Sequence, residues 1–226
     1  MKIAVLGTGS VGPALAAAFA RLGHDVAIGT RDPQATLART EPGATGGPPF
    51  TQWHAAHQEI AVRTFADAAA ASELVVNATN GAASLAALAE AGAENLAGKI
   101  VVDVSNALDF SQGFPPSLNP VNTDSIGEQI QRAYPEARVV KTLNTMANSV
   151  MVDPRHVAGG DHTVFVSGND AGAKAVVTDI LTALGHTDVL DLGDITTARG
   201  VEMILPLWLR IWGALGTADF NFKVAR

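Results

Sequence analysis

Short apolar runs rich in Val and Ile recur along the chain, separated by Ala-rich segments of helical length. The runs predict strands at Lys2–Leu6, Asp25–Thr30, Leu74–Ala78, Ile100–Val104, Arg138–Leu143, Thr163–Ser167 and Asp188–Leu192. Three of them, with Leu74-Val75-Val76, Ile100-Val101-Val102 and Arg138-Val139-Val140, lack polar alternation. Unbroken apolar runs of that length belong to strands covered on both faces. The intervening segments predict helices at Val11–Leu22, Ala82–Ala91, Ser125–Tyr134, Ala171–Leu184 and Thr196–Leu215. Strands alternating with helices build a doubly wound, mostly parallel α/β sheet.

Glycine and proline punctuate this pattern. Gly23 follows the first helix, where a left-handed residue closes the last turn. Asp32-Pro33 suits the N-cap and first position of a further helix. Ala66–Ala71 reads as plain helix, and Pro42–Pro49, with three Gly and three Pro, as a surface loop. A second loop, Phe110–Asn122, carries Pro115, Pro116 and Pro120 and is expected to border a pocket. Pro206 should bend or delimit the last helix.

The first strand runs straight into Gly7-Thr8-Gly9-Ser10-Val11-Gly12, which opens the first helix. That placement is what a dinucleotide site requires. Gly7 permits a tight turn, Gly9 lets backbone approach a pyrophosphate, and Gly12 lets helix and strand pack closely. The helix N-terminus adds free N–H groups and partial positive charge. The second strand ends in Thr30-Arg31-Asp32. Sites for NAD place a carboxylate at such an end, whereas Thr30 and Arg31 suit a 2′-phosphate, so NADP(H) is the expected cofactor.

Ligands of open α/β sheets lie outside the carboxyl ends of the strands. Three such ends carry small polar residues: Asn77-Ala78-Thr79, Ser105-Asn106, and the segment holding Asn144, Met146 and Asn148. Their amides, hydroxyls and backbone could meet ribose, carboxamide and a second ring. No catalytic acid, base or nucleophile stands out, and no metal site is expected. His54 and His57 lie three apart with no third ligand near, and Asp161-His162 reads as a turn. Hydride transfer manages without such groups, because the cofactor supplies the chemistry.

Composition narrows the rest. The 226 residues include no Cys, which excludes disulfides, thiolate nucleophiles and thiolate metal sites. A net charge of −7 argues against nucleic-acid binding. No apolar run is long enough to span a membrane, so the expected location is the cytoplasm. Met203, Leu205, Leu207, Trp208, Leu209, Ile211 and Trp212 surround the last helix on most faces. A helix apolar all round is a buried one, and the chain is short, which predicts a homodimer.

With these residues collected, the chain resembles the family of coenzyme F420-dependent NADP oxidoreductases nearly end to end. The resemblance rests on Lys2-Ile3-Ala4-Val5-Leu6-Gly7-Thr8-Gly9, Gly29-Thr30-Arg31 and Lys141-Thr142-Leu143-Asn144-Thr145. It rests too on Val164-Phe165-Val166-Ser167-Gly168-Asn169-Asp170 and Ile204-Leu205-Pro206-Leu207. It implies a Rossmann domain over residues 1–150, with a small lobe over 151–226 that completes the cleft and joins two subunits. It also implies hydride transfer between NADP(H) and a deazaflavin (F420) or flavin-like small-molecule partner. Thr8 to Val11 would hold the pyrophosphate, Thr30 and Arg31 the 2′-phosphate, and Asn144 to Asn148 would line the cleft. In members that use F420 the pattern implies His where Asn144 stands, and a further basic residue soon after Arg31, where Gln34-Ala35-Thr36 offers none. A non-catalytic NADP-binding sensor or redox-assembly subunit, and an NADPH-dependent reductase of another small substrate, are the alternatives.

Overall fold

The computed structural model describes residues 1–43 and 47–226. Their strands are β1 (Lys2–Leu6), β2 (Asp25–Thr30), β3 (Ala61–Thr64), β4 (Leu74–Asn77), β5 (Ile100–Asp103), β6 (Leu108–Asp109), β7 (Ser117–Leu118), β8 (Arg138–Thr142), β9 (Thr163–Gly168) and β10 (Asp188–Gly193). The helices are α1 (Val11–Arg21), α2 (Pro33–Leu37), α3 (Phe50–Ala55), α4 (Phe65–Ala70), α5 (Gly81–Ala91), α6 (Ala93–Leu96), α7 (Ile126–Ala133), α8 (Asn148–Val152), α9 (Ala171–Leu184), α10 (Ala198–Met203) and α11 (Leu205–Leu215). One sheet takes the order β10-β9-β8-β5-β4-β1-β2-β3, and β6 pairs with β7 apart from it. Neighbours in the large sheet are parallel except β8 and β9, which are antiparallel. The expected α/β architecture is present.

The sheet is covered on both faces, which is why its strands do not alternate. Ile3 and Val5 point into a cluster with Leu15 and Phe19 of α1 and Val177 and Leu181 of α9. Ala4 and Leu6, between them in sequence, join the opposite cluster with Phe65 of α4, Leu88 of α5 and Ile130 of α7. β4, β5 and β8 divide the same way, with Val75, Val101 and Val139 on the second side. All seven expected strands fall within one residue of their observed ends.

Several elements escape the apolar pattern. β3 has four residues, none fully buried, at the end of the sheet. β6, just before the loop expected at Phe110–Asn122, pairs antiparallel with the two-residue β7 inside it. The single helix expected at Thr196–Leu215 is divided: a 3-10 turn at Ile195–Thr197, then α10, then α11 after Ile204. Pro206 sits in the first turn of α11, where its missing N–H costs nothing, so it delimits the helix as expected. Asp32 caps α2, accepting from Ala35 N at 2.9 Å. Asp161-His162 lies in a turn before β9 as expected, but the His162 ring is buried, meeting Pro154 O at 3.0 Å and Asn221 at 2.8 Å. The loop expected at 42–49 falls partly on residues 44–46, which lie outside the described residues; beside them Gly43 N donates to Gly47 O.

Two features of the C-terminal part matter below. β9 and β10 extend the same sheet, so the sheet runs across residue 150. α11 is only partly buried within this chain: Leu207 is 53%, Trp212 40% and Leu215 58% exposed. Phe114, 70% exposed, meets the Trp212 ring edge-on. Among the described residues no helix is long and apolar enough to cross a membrane.

Candidate active site

The three motif glycines separate by physical cause. Gly7 has φ +119°, and a Cβ there would lie 2.6 Å from Ala78 O. A Cβ on Gly12 would overlap the Gly7 carbonyl oxygen, so the fold itself demands glycine at both positions. Gly9 differs: nothing lies within 4 Å of where its Cβ would be, and its φ is not positive. No protein atom accounts for glycine there. α1 then begins after Ser10, which gives no side-chain cap, with no acidic residue in its first turn. Asn148 donates to Ser10 O at 3.2 Å and ties the segment after β8 to this loop.

At the end of β2, Thr30 is buried and its hydroxyl pairs with Thr36 at 2.9 Å, while Arg31 is exposed. A hydroxyl has one donor and two acceptor sites, so Thr30 retains capacity. A basic residue further on, Arg39, reaches the phosphate loop. Its guanidinium donates to Thr8 Oγ1 (3.1 Å) and Thr8 O (2.7 Å) and lies 5.3 Å from the Phe50 ring centroid. Sequence spacing could not show this, because α2 and the turn after it carry Arg39 back over the phosphate loop.

The three polar strand ends are brought together, but not in the same role. Asn77 is fully buried; its amide donates to Ser84 (2.9 Å) and Asp103 (2.8 Å), and its oxygen accepts from Thr79 Oγ1 (2.6 Å). Asn144 is also buried and donates to Asn106 Oδ1 (3.1 Å) and Val201 O (2.9 Å), while Asn106 donates back to Asn144 O. Both asparagines therefore build the floor and do not offer amides to a ligand. Met146 packs in the core, and Leu143 before Asn144 has φ +61°. Leucine rarely accepts that conformation, and such strain gathers at ligand sites. Thr79, Asn106 and Asn148 are partly exposed, with Ala78 backbone against Gly7. Ser105 is 3% exposed and its Oγ has no partner.

Beneath this floor lies a cluster that the sequence reading did not single out. Lys141, 0% exposed, donates to Asp103 (2.8 Å), Glu202 (2.8 Å) and Ser105 O (2.6 Å). Burial pulls its pKa down, but the two carboxylates outweigh that and the net direction is up. It stays an ammonium with its three donors taken. Glu202 also accepts from Ile126 N (2.9 Å) and Gly127 N (3.2 Å) and so caps α7.

Other candidates lie elsewhere. His54 and His57 meet the backbone carbonyls of Ile60 (3.2 Å) and Trp53 (2.8 Å), and their rings stack on Phe50 and Trp53. A depression of about 680 Å³ flanks β3 and α4, lined by Pro33, Arg63, Thr64 and Asp67, and shares no residue with the floor. A dinucleotide fits the residues present on two counts: the bare space at Gly9 above an uncapped helix start, and the unpartnered Ser105 hydroxyl next to the Asn106–Asn144 pair.

Residues 2–107 match the family described as NADP oxidoreductase, coenzyme F420-dependent. A crystal structure of a proposed F420-dependent NADP reductase from Arthrobacter sp. FB24 is 68% identical, with each chain covered completely and a TM-score of 0.95. The F420-dependent NADP reductase of Methanocaldococcus jannaschii is 28% identical over 92% of this chain and 90% of its own length. The metalloreductase STEAP3 of Rattus norvegicus is 29% identical over 92% of this chain, which spans only 38% of that protein.

Proposed function

The chain belongs to the family of coenzyme F420-dependent NADP oxidoreductases, and from that premise we propose that it transfers hydride between NADP(H) and a deazaflavin such as F420, or a flavin-like ring. Gly9 carries the nucleotide reading: it is the motif glycine that the fold does not need and a pyrophosphate does. Thr8 to Val11 and the free N–H groups of α1 would hold that group. Arg31 and Arg39, with Thr30, form the positive end suited to a 2′-phosphate, by charge-assisted hydrogen bonds. Thr79, Asn106 and Asn148 are the partly exposed polar groups available to ribose and carboxamide, with the buried Ser105 hydroxyl unpartnered beside them, above a floor fixed by Asn77 and Asn144.

When bound, NADP(H) supplies the hydride itself. The protein's share is alignment of the two rings and exclusion of water, which needs no nucleophile or proton relay. The ionisable groups nearest the floor, Lys141, Asp103 and Glu202, are buried and bound to one another, in keeping with that economy. The Asn144 amide is held by Asn106 and Val201. The exposed apolar length of α11 supports a homodimer.

The test mixes the protein with NADPH and oxidised F420 and follows loss of the deazaflavin's visible absorbance. Turnover is expected. Reduction of flavins but not F420 moves the acceptor to a flavin-like ring. Tight NADPH binding with no transfer to deazaflavins, flavins or imines overturns the enzyme reading in favour of a non-catalytic NADP-binding protein.

A further inference from the structure

The backbone of Ser105 is held from both sides by buried charges. Its N–H donates to Asp103 Oδ1 at 3.1 Å, and its carbonyl accepts from Lys141 Nζ at 2.6 Å. Its own hydroxyl has no partner although the residue is 3% exposed. A rigidly gripped backbone with an unused hydroxyl is an arrangement for presenting that hydroxyl, since a buried polar group left unpaired is otherwise a cost.

The grip originates in the C-terminal segment. Glu202 of α10 anchors Lys141 at 2.8 Å and is itself fixed by the first two N–H groups of α7. The neighbouring Val201 carbonyl takes the Asn144 amide, and Asn144 in turn pairs with Asn106, next to Ser105. α10 therefore reaches the Ser105–Asn106 segment by two separate hydrogen-bonded routes.

We propose that Lys141, anchored by Glu202, is a positioning residue that fixes the Ser105 hydroxyl for the nicotinamide half of the bound dinucleotide. The proposal rests on the NADP(H) reading above. Lys141 touches neither ligand nor reacting atoms; it acts through Ser105, and the C-terminal helices are thereby coupled to the strand-end floor.

Removing the Lys141 ammonium would strand two buried carboxylates and endanger the fold, so the test uses Glu202→Gln, Ser105→Ala and the double variant. Each is titrated with NADPH and with adenosine 2′,5′-bisphosphate, which keeps the 2′-phosphate and lacks the whole nicotinamide half. Both single variants should bind NADPH about ten-fold more weakly, roughly one good hydrogen bond, and bind the truncated ligand within two-fold of wild type. The double variant should be no weaker than the weaker single one, because Glu202 acts through Ser105. Equal loss for both ligands, additive losses, or no loss overturns the proposal while wild-type binding keeps the NADP(H) reading. Wild-type protein that binds neither ligand removes that reading and the proposal together.

Discussion

The phosphate loop and the C-terminal helix pair leave different things uncovered. Around Gly7–Gly12 what is uncovered is polar: helix N–H groups without a side-chain cap, and the bare backbone of Gly9. On α11 what is uncovered is mostly apolar: Leu207, Trp212 and Leu215, with Phe114 against Trp212. The first surface suits a small anion that brings its own acceptors. The second suits a large nonpolar partner, because apolar area is non-directional and gains by extent. One chain thus carries two unfinished surfaces that call for different kinds of ligand.

The sharpest way to break this contrast is Gly12→Ala. Its Cβ would overlap backbone of the same loop, so the expected loss is at least about 3 kcal/mol, and a melting temperature lower by roughly 10 °C. An unchanged melting temperature would show that the loop's shape is not fixed by its own packing.

Next comes the tolerance of the C-terminal interior for charge. His186 is buried, with Nε2 on Met151 O at 3.1 Å and Nδ1 unpaired, and burial pushes its pKa down to about 4. The unfolded chain takes up that proton near pH 6.5 and the folded one near 4, so stability is complete above 6.5 and falls as pH drops through that window. The loss amounts to roughly 3 kcal/mol at its limit. Chemical denaturation across pH 4–7 should therefore be steeper for wild type than for His186→Asn. Equal slopes would place the charge tolerance elsewhere.

The apolar surface is tested by Leu207→Glu with Leu215→Glu. Wild type should elute as a dimer at micromolar concentration, and the paired change should weaken association by about 100-fold, or roughly 2.7 kcal/mol. A monomeric wild type refutes the dimer. The smallest effect on the free protein belongs to Gly9→Ala: melting within about 0.5 kcal/mol of wild type or slightly higher, yet NADPH bound at least about ten-fold more weakly. Unaltered binding would return Gly9 to the status of an ordinary loop residue.

Most of the sheet was legible because doubly covered strands must be apolar at every position, a signal that survives without tertiary knowledge. The phosphate loop was legible because two of its glycines answer to local sterics. β3 was not, since Ala61-Val62-Arg63-Thr64 lies at an edge and buries little. Arg39 and Lys141 were missed for another reason. Their partners stand far off in sequence, Thr8 for one and Asp103 and Glu202 for the other, so no periodicity marks them. Asn77 ends β4 and Asn144 follows β8, but a sequence does not reveal that their amides turn inward.

The antiparallel junction of β8 with β9 makes the chain hard to divide. Ending it after residue 150 would leave β8 as a naked edge, open to pairing with another molecule. It would also remove Glu202 from the charge cluster around Lys141. The nucleotide-binding half is therefore not a separable module. It borrows two strands and a carboxylate from the last third of the chain, and the whole length should open and close as one cooperative unit.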